Sequence, residues 1–77
     1  MYLEPIKRSI LAALRWEPLD HFQVAATLGE PPFRVRAELR ALKRDRYVSD
    51  RIDDHGHRWM LTNRGIKTIE AEADDAA

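Results

Sequence analysis

Arg36, Arg40 and Arg44 stand four residues apart in the stretch PPFRVRAELRALKRDRYV, Pro31 to Val48. On a helix that spacing stacks the three guanidinium groups in one row. Like charges so placed repel one another by roughly 0.2–0.5 kcal/mol per pair. A guanidinium is permanently charged and planar, and its fork of N–H donors fits two oxygen acceptors at once. Such a row is either a solvated surface supported by Glu38 and Asp45, or a ridge built to lie against something negatively charged. The two acids flank the row rather than interrupt it, which favours the ridge.

Other chemistry-bearing residues are sparse. The loop DDHGH gathers Asp53, His55 and His57, oxygen and nitrogen donors that a metal would accept. A hairpin turn holding two histidines reads instead as a polar turn. His21 stands alone early in a short helix and is expected to be exposed. Nothing resembles an activated nucleophile, a glycine-rich phosphate loop or a carboxylate pair held in a cleft. No enzymatic activity, metal, cofactor or small-molecule ligand is therefore expected. The chain has no cysteine, so disulfides and thiolate metal sites are excluded and a reducing, cytoplasmic setting fits.

Seventy-seven residues suffice for one domain. No apolar run approaches the ~20 residues of a membrane span, and the start MYLEPIKRSI lacks the apolar core of a signal peptide. Formal net charge is zero, but it is distributed unevenly. Residues 1–30 hold a net −1, residues 31–67 a net +5, and residues 68–77 a net −4. Polarity of that kind marks a side that faces a partner.

The elements that must position the arginines can be read from spacing. Pro5 suits the first position of a helix, where its missing N–H costs nothing, and Ile6, Ile10 and Leu14 supply the buried stripe. Trp16, near that helix's end, reads as a lid on the core. A second, short helix runs from Asp20 to about Leu28. Asp20 and Gln23 form a capping box, Phe22 or Val24 joins Ala25 and Leu28 on the apolar face, and Gly29 ends it. Pro31 and Pro32 force a tight turn, and Pro32 begins a third helix. On a 100° wheel Leu39 and Leu42 fall within about 40° of Val35, leaving Phe33, Ala37, Arg40 and Arg44 on the far side with Arg34 and Arg36 at its margins.

From Tyr47 the period becomes two. YVSDRI and HRWMLT read as strands joined by DDHG, with Val48 facing Leu61 or a neighbour, Arg51 and Arg58 across from one another, and Trp59 near the base. A last helix follows, capped by Thr62 or Asn63, with Ile66, Ile69 and Ala73 inward. The expected division is a domain over 1–70 and a frayed acidic tail over 71–77.

The order helix, helix, tight turn, helix, hairpin, helix resembles the winged helix-turn-helix plan, mostly α with a small β-hairpin. The segment LDHFQVAATLGEPPFRVRAELRALKRDRYV looks like the corresponding run of bacterial winged-helix regulators. WMLTNRG is similar to the strand end and cap in multiple-antibiotic-resistance-regulator and arsenic-repressor type domains. The resemblance implies duplex DNA as partner, with the third helix in the major groove and the hairpin wing along the backbone. Carried over by position, the DNA-binding candidates are Phe33, Arg34, Arg36, Ala37, Arg40 and Arg44 on the helix, with Arg51 and Arg58 on the wing. Arginine pairs with the O6 and N7 edge of guanine, and Ala37 allows close approach and contact with a thymine methyl. Phe33 either touches backbone sugars or folds under the second helix. The acidic tip, Asp53 and Asp54, departs from the family pattern and disfavours minor-groove reading there.

The resemblance thus implies a small transcriptional regulator, working as a homodimer on two half-sites through its first and last helices. The rival reading is a winged helix used as a protein–protein module, which the zero net charge and acidic wing tip favour. The tail EAEADDAA reads as a solubilising helix end. A sharper alternative folds it over Arg40 and Arg44, in competition with DNA.

Overall fold

A computed structural model describes the backbone of residues 3–76 and the side chains of residues 3–71. Helix α1, Pro5–Ala13, opens on its proline and buries Ile10 and Leu11, with Leu14 closing the stripe and Ile6 packed beside it. Helix α2, His21–Leu28, carries the complete capping box. The Gln23 N–H donates to Asp20 Oδ1 at 2.8 Å, and the Asp20 N–H donates to Gln23 Oε1 at 2.9 Å. Gly29 ends α2 at φ +68°, a left-handed conformation that costs glycine nothing, and the Glu30 N–H then reaches the Ala25 carbonyl at 3.1 Å. Helix α3, Pro32–Arg44, starts at its proline as the spacing predicts and turns Val35, Leu39 and Leu42 fully inward.

The end of α3 departs from the helix-stop rule. Arg46 takes the left-handed slot at φ +68° that glycine usually fills. Its N–H bonds to the Lys43 carbonyl at 3.0 Å, and the Tyr47 N–H bonds to that of Leu42 at 2.9 Å. A side chain in that slot costs about 1–2 kcal/mol, offset here by the bonds that close the helix.

Strands β1, Val48–Asp53, and β2, Gly56–Leu61, pair antiparallel around a two-residue loop, Asp54–His55. The register is the simplest one, with Val48 opposite Leu61 and Arg51 opposite Arg58. Helix α4, Asn63–Ala76, begins after Thr62, whose hydroxyl accepts from the Gly65 N–H at 3.2 Å and donates to the Arg46 carbonyl at 2.6 Å. Gly65 is buried under Tyr47, and a Cβ there would run into the Tyr47 carbonyl oxygen. Among the described residues no helix is long and apolar enough to cross a membrane.

The core is one cluster that draws on all three leading helices and on the base of the hairpin, with Trp59 its largest fully buried side chain. Trp59 is also held by its backbone. It exchanges hydrogen bonds with Leu19 at 2.7 and 3.0 Å, which ties the hairpin to the connection between α1 and α2. This tie corrects the expectation for Trp16. With Trp59 closing the core, Trp16 projects into solvent at 82% exposure, its ring covered on one side by the Arg15 guanidinium at 4.9 Å. On α2 it is Val24 that turns inward, and Phe22 is exposed. On α4 Ile69 packs against the core, but Ile66 is 42% exposed rather than inward. The backbone of α4 is helical as far as Ala76; the side chain of Ala73 and the charges of Glu72, Asp74 and Asp75 lie outside the described residues.

Candidate nucleic-acid interface

The site grows from one division of α3. Its buried stripe of Val35, Leu39 and Leu42 fixes the rotation of the helix. Phe33, Arg36, Ala37, Arg40 and Arg44 must then face outward within an arc of about 100°. All five are exposed. Among the described residues Arg36 and Arg40 take part in no ion pair. Arg44 touches Asp45 at 3.6 Å, with its side chain 75% exposed. Arg34, at the margin, turns back toward Glu30 at 3.4 Å across the prolines. Phe33 does not fold under α2; it stands in solvent.

Two concavities border this ridge. One, about 480 Å³, lies between α2 and α3 and is lined by His21, Phe22, Phe33, Arg36, Ala37 and Arg40, with Pro32 at its end. The other, about 380 Å³, lies between α3 and the hairpin, where Arg36, Arg40, Lys43 and Arg44 face Asp50, His57 and Trp59. Strand alternation explains the second set. Asp50 and His57 share a hairpin face with the buried Val48 and Trp59, so they point toward α3. Asp50 sits between two partners, Lys43 Nζ at 2.8 Å from one oxygen and His57 Nε2 at 2.7 Å from the other. The Lys43 hydrogen bond, followed by that of His57, holds the Asp50 carboxyl below the usual carboxylate range against the opposing effect of partial burial. The His57 ring stacks on Trp59 at 4.8 Å.

Arg51 and Arg58 occupy the opposite face of the hairpin and so do not line that groove. Both converge on Asp53, Arg58 at 2.8 Å and Arg51 at 3.5 Å from the same oxygen. The other Asp53 oxygen accepts the His55 N–H at 2.8 Å. That backbone bond and then the Arg58 contact lower the Asp53 pKa. The Asp53 carboxylate is thus engaged within the wing, and among the described residues no three His, Asp or Glu side chains gather into a metal site.

The structure therefore brings Phe33, Arg36, Ala37, Arg40 and Arg44 together and sets Arg34, Arg51 and Arg58 apart from them, each beside a carboxylate. Spacing on α3 alone overlooked Lys43, Phe22, Asp50 and His57. Lys43 was visible as a neighbour of Arg44, and the two-residue strand alternation already placed Asp50 and His57 on the core-side face. The alternative that folds the acidic tail over Arg40 and Arg44 concerns side chains that lie mostly outside the described residues.

No protein-family model matches the chain, and no curated protein matches it. Solved structures do. A mutant of ZitR from Lactococcus lactis aligns with TM-score 0.87 at 19% identity, over 96% of this chain and 53% of that one. MepR of Staphylococcus aureus in complex with DNA aligns with TM-score 0.85 at 23% identity, over 94% of this chain and 63% of that one. The transcriptional regulator Tm0710 from Thermotoga maritima aligns with TM-score 0.84 at 22% identity, over 92% of this chain and 52% of that one. The fold is that of a winged helix-turn-helix domain of the kind found in these regulators. The chain spans only about half to two thirds of their length.

Proposed function

We propose that the chain binds duplex DNA and acts as a small transcriptional regulator. The observation that carries this reading is the pair Arg36 and Arg40, held outward by a fully buried stripe and free of ion pairs among the described residues. An uncompensated guanidinium pair on a helix narrow enough for the major groove is suited to guanine edges and phosphates. The shared fold with a regulator solved on DNA supports it. In this reading α3 enters the groove, Arg36, Arg40 and Arg44 contact bases or phosphates, Arg34 and Phe33 lie at the entry, and Ala37 permits close approach. Arg51 and Arg58 reach a phosphate from the outer face of the wing. The protein acts on cytoplasmic DNA, needs no cofactor and carries out no catalytic step.

A single domain gains useful specificity by pairing on two half-sites, so a homodimer is part of the proposal. Trp16 and Ile66 support it, since both are exposed and line a small concavity with Leu61 and Ile69 that shares no residue with the α3 ridge. The same apolar patch favours one rival, a winged helix used only to contact proteins.

One titration separates the two. Mixed-sequence duplex is added at two salt concentrations to wild type and to Arg36→Ala/Arg40→Ala, with unfolding curves confirming that both are folded. DNA binding through about five phosphates gives a log–log salt slope of about −4.5, reduced by about 2 in the double variant, with affinity down at least tenfold. Weak, salt-insensitive association unchanged by the substitutions would favour the protein-contact reading.

A further inference from the structure

The concavity between α2 and α3 joins two kinds of surface that rarely share one solvent face. Phe22 and Phe33 are 63% and 77% exposed, and Pro32 and Ala37 add apolar surface to the same hollow. Arg36 and Arg40 rise from the same hollow, and no acidic side chain lines it. Phe33 and Ala37 follow one another by a helical turn, as do Arg36 and Arg40, so an apolar row runs beside a guanidinium row. The His21 ring lies against Phe22, with ring centroids 4.1 Å apart. Exposed aromatic rings gain by covering apolar surface, and guanidiniums gain by meeting anions or acceptors. An occupant must therefore present small apolar groups within a strongly negative framework. Duplex DNA does so in the major groove at one base, thymine, whose 5-methyl is the apolar group among the groove's donors and acceptors.

We infer that this hollow reads the 5-methyl group of thymine, with Phe33 and Phe22 as specificity-determining residues beside the arginine pair. The inference rests on the DNA-binding reading and deepens it: the arginines supply attachment and guanine contacts, and the aromatic floor supplies preference for A·T pairs next to them. Removing one buried methyl costs about a fourfold change in affinity.

The test uses A·T-rich mixed-sequence duplexes in two forms, one with thymine and one with deoxyuridine throughout, identical in backbone charge. Wild type is expected to bind the uracil form about fourfold more weakly for each methyl contacted, with an unchanged salt slope. Phe22→Ala/Phe33→Ala, both exposed positions, should bind the two forms equally with that same slope. Equal binding of both forms by wild type, with salt dependence and arginine dependence intact, overturns the thymine reading and leaves DNA binding standing. Persistent discrimination in the phenylalanine variant overturns the assignment of these residues. Tighter binding to the separated single strands than to the duplex overturns it in favour of base stacking. Salt-insensitive binding in every case removes both readings together.

Discussion

The ridge of α3 and the shaft of the wing each carry arginines, yet the two regions differ in what those arginines are free to do. On α3, Arg36 and Arg40 have no ionic partner among the described residues, because the acids Glu38 and Asp45 stand on other sides of the helix. On the wing, Arg51 and Arg58 lie directly across from one another and share one Asp53 oxygen. A basic residue already held by a carboxylate must give up or share that contact before it can serve a phosphate. Counting charges along a sequence therefore overstates the wing and understates α3.

The harshest way to break the comparison is to remove what holds the wing to the helices. Trp59→Ala deletes the largest buried side chain and leaves a cavity, with an expected loss of about 3–5 kcal/mol in denaturant unfolding. A loss below about 1 kcal/mol would mean that the hairpin is not anchored through this ring. Trp16→Ala, at an exposed position, should cost less than about 0.5 kcal/mol in the same measurement. A milder change sharpens the contrast: Asp53→Asn removes the carboxylate that Arg51 and Arg58 share. If the wing is held back by compensation, DNA affinity at low salt should rise a few-fold, and the salt slope should steepen by about 1. An unchanged affinity and slope would place both arginines away from DNA.

A small, pH-dependent effect is expected at Asp50, which links Lys43 of α3 to His57 of the wing. Its folded pKa is lowered, so its contribution to stability is fully present above the unfolded value of 3.8 and is lost as pH falls through the lower folded value. Asp50→Asn should therefore destabilise at neutral pH by about 1 kcal/mol or less, and the difference from wild type should close in acid. A difference independent of pH would show that the ion pairs contribute nothing.

Much of this architecture was legible before any coordinates. Pro5 and Pro32 announce two helix starts, Asp20 and Gln23 a third, and Gly29 a stop, because each acts through backbone groups within a few residues. Alternation and the reversal at DDHG announced the hairpin, with Leu61 or a neighbour opposite Val48, and the structure fixed the register at Leu61 across a two-residue loop. On α3, the stripe of Val35, Leu39 and Leu42 was enough to say which side the arginines occupy. What could not be read was which tryptophan the core would take. Trp16 and Trp59 are equally apolar, and Trp59 turns inward because it stands on the core-side face of the hairpin, where the bridge to Leu19, forty residues away in sequence, ties it. Phe22 and Val24 posed the same ambiguity, and Ile66 sat at a periodic position yet remained half in water. The partners of the arginines were likewise hidden. Asp53 and Arg58 are diagonal neighbours on one hairpin face, a pairing that can be read only once the register is fixed, and Lys43 meets Asp50 only after the chain reverses at Arg46.

By itself, then, the order of residues determined where the helices begin, where α2 ends, that two strands reverse at DDHG, and which side of α3 faces away from the core. These depend on hydrogen bonds and apolar periodicity over a few residues, whose physics does not await the rest of the chain. Only the tertiary structure decided which aromatic rings are covered, which arginines are neutralised, and that an apolar floor lies beside the free pair. Those outcomes depend on distances between segments remote in sequence, and burial and Coulomb energies follow distance in space rather than position along the chain.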